Sequence, residues 1–386
     1  MEFYGYPRPD GRVGVRNHVL ILPTCNCASG VCERVYRMVE GTTSFVNQNG
    51  CSQTQEDVQY TIDVLCGFAD NPNVYAVVLV GVGCEVCSVN RIGSEIRRRT
   101  DKPMATVVIQ EDGGSLGAIH KAAEYARAFV EQASRIRPVP CPASRLILAT
   151  ECGGSDATSG IAANPVLGAA CDCLVEAGGT VILSETTEFM GAEHILARRA
   201  ATPEVAARIL EIVSRYEEYL KKLDTDLRGT NPAPGNRQGG ISTLEEKSLG
   251  CIYKGGSGTI MQVYEYAQAV TETGLVIMDT PGADSASLCG MAAGGAQIAV
   301  FTTGRGTPIG NPIMPVIKVT GNPETYGKMT CDMDFDASGV ITRGESADAL
   351  GQELLEQILR TAGGEKTKSE ILKMNEIGIS RLCNYV

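Results

Sequence analysis

Four cysteines beside glycine turns are the strongest chemical signal in this chain. Cys27 lies in Thr24-Cys25-Asn26-Cys27, Cys51 in Asn49-Gly50-Cys51, Cys84 in Gly81-Val82-Gly83-Cys84-Glu85, and Cys152 in Glu151-Cys152-Gly153-Gly154. Each stands where a strand pattern gives way to a turn. Thiolates are soft ligands suited to iron. If the four strand ends face one cleft, they could converge on iron, as Fe2+ or as an iron–sulfur cluster. The bland alternative is four small residues that fit tight turns. The spacing is not that of a zinc knuckle, since only Cys84 and Cys87 form C-x-x-C and Cys87 falls in a helical pattern.

Three further groups carry chemistry. The run 150–160 opens from an apolar strand into Gly153, Gly154, Ser155 and Asp156, a turn able to receive a carboxylate or hydroxyls. The segment 181–194 places Glu185, Glu188, Glu193 and His194 in one turn region, where carboxylate and imidazole can hold a cation or move protons. A helix amino terminus decorated with acids is the alternative. His194 is one of three histidines, and it alone keeps company with carboxylates beyond a strand. Arg305, flanked by Gly304 and Gly306, can meet a carboxylate bidentately, or be a surface turn. Arg12 and Arg16 read first as part of a turn before a strand, and either could face a cleft instead.

The elements that must position these residues alternate between two periodicities. Apolar runs at 18–23, 74–82, 104–110, 145–150, 180–184, 274–278, 297–302 and 315–320 predict strands. Between them, helical patterns fall at 30–40, 54–68, 88–98, 115–136, 165–177, 203–222, 244–253, 285–293 and 347–361. The expectation is an α/β fold: parallel-sheet domains with helices on both faces, Rossmann-like but without a dinucleotide fingerprint. Ligands in such sheets bind beyond the carboxyl ends of strands. Three prolines at 138–142 oppose helix and sheet alike and set a domain boundary near 140, giving domains 1–140 and 141–386. The irregular stretch 229–241 is long for a connector and suits an active-site loop.

The 386 residues carry a net charge of −11 with no basic run, so nucleic acid is not a partner to expect. No run of 18 apolar residues predicts a membrane span, and the first residues lack an apolar signal region, which reads as cytoplasmic. Fifteen cysteines are an odd number, and a core this large needs no staples, so disulfides are not expected. Cys25, Cys32, Cys66, Cys171, Cys173, Cys251 and Cys383 are read as core residues. Neither G-x-G-x-x-G after the first strand nor a Walker motif is present, so nicotinamide and nucleotide triphosphate chemistry are not signalled.

Taken together, these motifs carry a resemblance. DGRVGVRN at 10–17, Asn26-Cys27, Gly50-Cys51, Gly83-Cys84-Glu85, CGGSD at 152–156, GIAANP at 160–165, GAEH at 191–194, Arg198-Arg199, MDTPG at 278–282 and TTGRG at 302–306 all occur in order. The chain resembles the altronate/galactarate dehydratase family over nearly its whole length, and the same family holds the large subunit of (2R)-sulfolactate sulfo-lyase. The resemblance implies β-elimination from a small acidic hydroxylated substrate, assisted by iron. It also implies an oligomer containing a separate small SAF-domain subunit. Carried onto this chain, it makes His194 the proton carrier with Glu193 or Glu188, assigns Cys27, Cys51, Cys84 and Cys152 to the metal, and gives substrate binding to Arg305, Arg16, Gly153, Gly154, Ser155 and Asp156. One departure stands out: sugar-acid members usually carry His where this chain has Asn47.

Overall fold

The structure, a computed structural model, describes residues 1–383. Fourteen strands are present among them. They are β1 (Glu2–Pro7), β2 (Val13–Gly14), β3 (His18–Pro23), β4 (Thr42–Ser44), β5 (Val74–Gly81), β6 (Met104–Val108), β7 (Val139–Pro142), β8 (Ile147–Cys152), β9 (Thr180–Leu183), β10 (Ile260–Tyr264), β11 (Gly274–Met278), β12 (Ile298–Thr302), β13 (Val316–Thr320) and β14 (Phe335–Asp336). Two parallel sheets result. The smaller has the order β4-β3-β5-β6, and the larger β10-β11-β9-β8-β12-β13-β14. Helices flank both, as the uninterrupted apolar strands require: β3 is buried from Val19 to Pro23 and β12 throughout. The α/β expectation holds.

The proline-rich stretch differs from the expectation. β7 pairs antiparallel with β1, with Phe3 opposite Cys141 and Tyr4 opposite Pro140. Pro140 and Pro142 share one parity. Their missing N–H groups face away from β1, while the neighbouring Ala143 N–H bonds Met1 O at 3.0 Å. Proline is tolerated on such an edge strand. β1 also pairs with β2 in this small third sheet, and Phe3, Val13 and Val15 pack into the core of the larger sheet.

The two parallel sheets share one apolar core, in which Leu20, Leu22, Val77 and Leu79 meet Ala149, Ile182 and Val276. The helices Gln55–Asp70 and Asp284–Ala293 lie between them. A Cβ on Gly67 would fall 2.5 Å from Ala293 O, so only glycine permits this approach. Asn71 and Asn73 lock the contact: Asn71 Nδ2 donates to Ala292 O and Ala296 O, and Asn73 Nδ2 to Gln297 O and Ile313 O, at 2.7–2.9 Å. Gly67 and Ala293 both lie near the carboxyl ends of their helices. The helices therefore run side by side in one direction, and the carboxyl edges of both sheets open on the same side. No helix of the described residues is long and apolar enough to cross a membrane.

Candidate active site

Beyond β8, β9 and β11 the larger sheet gathers an unusual set of buried charges. Strand alternation sends Glu151 and Cys152 to opposite faces of β8. Glu151 Oε2 accepts from Ser287 Oγ (2.6 Å) and Ser184 Oγ (3.2 Å), while its Oε1 is buried without a partner. On the other face, Cys152 Sγ lies 3.7 Å from Cys251 Sγ and 3.4 Å from Lys254 Nζ. The Lys254 ammonium, fully buried, also donates to Cys251 Sγ at 3.1 Å and to the Glu185 carboxylate. Glu185 joins the two faces. Its φ of 71° is costly for a residue with a Cβ, and it turns the side chain so that Oε2 also accepts the Cys152 N–H at 3.0 Å.

A second ammonium stands at the rim. Lys247 Nζ donates to Glu188 Oε1 (2.9 Å) and Asn231 Oδ1 (3.0 Å), and Glu188 Oε2 is buried with no partner. Lys247 and Cys251 lie on the helix Leu244–Ile252, and Lys254 follows in the turn Tyr253–Gly255. The spacing i, i+4, i+7 sets all three on one stripe.

The electrostatics follow from burial. Desolvation raises the Glu151 carboxyl well above the usual carboxylate range, and Glu185 adds to the shift. Desolvation, then Glu185, pushes Asp284 up to about 6. Desolvation opposes the Lys254 ammonium, but the surrounding thiols and carboxylates outweigh it and keep it protonated. The Cys251 contact and burial hold Cys152 as a neutral thiol.

Two groups among the described residues bring three candidate ligand atoms within 4.8 Å of one another: Cys152, Glu185 and Cys251, and Glu151, Glu185 and Asp284. In the first, Lys254 already supplies the positive charge. The second fits a divalent cation better. Its oxygens are hard donors, one Glu151 oxygen is unspent, and a cation would offset the crowding that raises two of these carboxyls.

The structure divides the residues singled out from the sequence. Cys152 and Glu188 lie in this cluster. Gly153 adjoins it, since a Cβ there would fall 2.5 Å from Asp284 Oδ2. Gly154 meets the Arg305 turn, its carbonyl accepting the Arg305 N–H at 3.0 Å. The loop 229–241 folds over both: Arg305 Nη1 reaches Gly235 O at 3.3 Å, and Asn236 Nδ2 bonds Ser155 O at 2.8 Å. Arg305 is otherwise exposed.

Asp156 and Arg16 are corrections. Asp156 is buried and its oxygens are spent on Thr158, Ser159 and Asn322, which leaves it a brace for the turn. Arg16 is remote from this cluster in its bonding. It grips Glu370 through Nε and Nη2, and its other N–H groups serve the carbonyls of Val15, Thr361 and Glu365, so no donor remains for a substrate.

His194 stands exposed on the helix Glu193–Ala197, with no side-chain hydrogen bond or ion pair among the described residues. Glu193 beside it keeps one buried oxygen unpartnered. The four thiols do not form one set: Cys27, Cys51 and Cys84 are exposed at the smaller sheet, and Cys152 is buried at the larger. All cysteines are free. Cys251, read as core, belongs to the site, and Cys383 is exposed rather than core. Asn47 is fully buried and braces its loop, donating to Pro23 O and accepting from the Asn49 N–H.

Paired carboxylates and ammoniums at the carboxyl ends of parallel strands define an enzyme that moves protons on a small polar molecule. Comparison with known proteins narrows this class. The family described as D-galactarate/Altronate dehydratase, C-terminal, matches residues 143–384, and D-galactarate dehydratase/Altronate hydrolase, second domain, matches residues 5–134. The (2R)-sulfolactate sulfo-lyase subunit beta of Chromohalobacter salexigens is 38% identical over 98% of this chain and 97% of its own length. Altronate dehydratase of Bacillus subtilis is 34% identical over 98% of this chain and 77% of its own. Galactarate dehydratase (L-threo-forming) of Escherichia coli is 33% identical over 94% of this chain and 73% of its own. The chain belongs to the altronate/galactarate dehydratase family, whose named relatives here are all lyases.

Proposed function

We propose that the chain is the catalytic subunit of a hydro-lyase that dehydrates a sugar acid, an altronate-like aldonate or an aldarate, to a 2-keto-3-deoxy acid. One observation carries the reading: Glu188 keeps a buried, unpartnered oxygen beside the Lys247 ammonium, between the buried carboxylates and the Gly153–Arg305 rim. A base next to a fixed positive charge is what abstraction of a proton alpha to a carboxylate needs.

In this reading Arg305 and the backbone of Gly153, Gly154 and Ser155 receive the substrate carboxylate and hydroxyls. Glu188 Oε2 accepts the C2 proton, and Lys247 steadies the charge that develops. The C3 hydroxyl leaves as water, and the enol tautomerises to the keto acid. Glu151, Glu185 and Asp284 would hold a divalent cation, iron(II) in this reading, which supplies Lewis acidity toward the dianionic intermediate. Lys254 keeps Glu185 ionised for that task. Fifteen free thiols suit a reducing, cytoplasmic setting. A separate small SAF-type subunit is part of the proposal, supported by the relative named as a subunit beta.

A second reading has its own support. The sulfo-lyase subunit matches over 97% of its length, against 77% and 73% for the two dehydratases. In that case sulfite leaves from (2R)-sulfolactate and pyruvate forms. Assay of altronate, galactarate and sulfolactate, with and without a small partner chain, separates the two. Turnover of a hexonate or aldarate to a keto acid supports dehydration, sulfite release supports the second reading, and no turnover in any arm sinks both.

A further inference from the structure

We propose that Cys27, Cys51 and Cys84 bind an iron–sulfur cluster at the carboxyl edge of the smaller sheet, as a three-thiolate site in which Cys152 takes no part. The three thiols follow three neighbouring parallel strands, β3, β4 and β5, and so share one edge. Their loops are tied to one another. Gly50 rides against Thr24, where a Cβ would fall 2.1 Å from Thr24 O. The Cys87 N–H bonds Gly50 O at 3.0 Å. Glu85 accepts from Thr24 Oγ1 (2.9 Å), the Val82 N–H (3.1 Å) and the Gly83 N–H (2.7 Å). The three thiols therefore sit on a braced frame rather than on loose turns.

Exposure and spacing point to what the frame holds. Nine of the fifteen cysteines are buried and one is half-buried, and three of the five exposed ones are these. An exposed thiol has no packing task to explain it. The three sulfurs do not fall within 4.8 Å of one another, as the groups around Glu185 do. Thiolates on one tetrahedral ion, with bonds of about 2.3 Å, would stand about 4 Å apart. A polynuclear cluster spans the wider gap. The helix Asn26–Met38 begins at Cys27 with no side-chain cap and no acidic residue in its first turn, so its positive end suits an anionic cluster. Three thiolates complete three irons of a four-iron cube and leave the fourth to an oxygen ligand, the donor a hydroxy acid brings.

The proposal does not rest on the lyase reading, and its test reads cluster content. The full chain is reconstituted anaerobically with ferrous iron and sulfide, then analysed for iron, acid-labile sulfide and the electron paramagnetic resonance of the reduced protein. The wild type should retain about four irons and four sulfides per chain. Cys27→Ser, Cys51→Ser and Cys84→Ser should each lose more than half, with circular dichroism unchanged because the replaced thiols are exposed. Cys152→Ala should keep the full complement. Iron without sulfide, no uptake by the wild type, full loading of any of the three Ser variants, or loss of loading in Cys152→Ala with its fold retained would each overturn the assignment. A chain that loads the cluster but turns over no hydroxy acid sinks the preceding proposal and leaves this one standing.

Discussion

Replacing Asp284 by Asn should make the metal-free protein more stable above pH 6 and poorer as an enzyme. Burial first, and Glu185 second, raise the folded-state carboxyl from 3.8 to about 6. Between those values the folded chain holds a proton that the unfolded chain has released. The protonated group favours the fold fully below about pH 4, and this contribution is lost as pH rises through 6. A shift of about two units at roughly 1.4 kcal/mol each sets a ceiling of about 3 kcal/mol. Asparagine has nearly the same shape and does not titrate. Urea unfolding in chelator should therefore give a variant about 2 kcal/mol more stable than wild type at pH 8, with the gap closing toward pH 4. Added ferrous or manganous ion should stabilise the wild type more than the variant. A difference that is flat across pH, or a variant less stable at pH 8, would refute the crowded-carboxylate account.

Lys254→Met should cost about 3–5 kcal/mol in urea unfolding, because it leaves Glu185 ionised and unpaired in the interior. A loss under about 1 kcal/mol would show that the ammonium is not the partner holding that carboxylate. Glu188→Gln should lower kcat by about 10²–10⁴ while its stability stays within about 1 kcal/mol, since glutamine still accepts from Lys247. His194→Asn should lose less than about tenfold in the same assay. The reverse ranking would move the proton carrier to the exposed imidazole. Asn47→Ala should destabilise by about 1–3 kcal/mol, as two loop hydrogen bonds lose their partner, and leave the optimum pH of turnover where it was. A shifted pH optimum would mean that this position works in catalysis.

The positions of most strands were readable because uninterrupted apolar runs have one stable home, the middle of a parallel sheet. β7 was not, since its prolines look like breakers until the edge that excuses them is known. The same asymmetry governs the site. That Cys152, Glu188 and Arg305 stand beyond strand ends follows from local pattern. Whether a group there is free to do chemistry depends on partners that local pattern does not reveal. A glycine-flanked arginine such as Arg16 looks like an anion binder until its anion proves to be Glu370, 354 residues away. Asp156, central to a glycine turn, spends its oxygens holding that turn. Lys247, Cys251 and Lys254 form a helical stripe visible by counting, yet nothing in the stripe announces the carboxylates it meets. Glu185 needs a left-handed backbone that no spacing rule encodes. What marks Glu151 and Glu188 as reactive is an oxygen left without a partner in a buried place. That property is a remainder, found only after every other bond has been assigned, and so it belongs to the folded molecule and not to any stretch of its sequence.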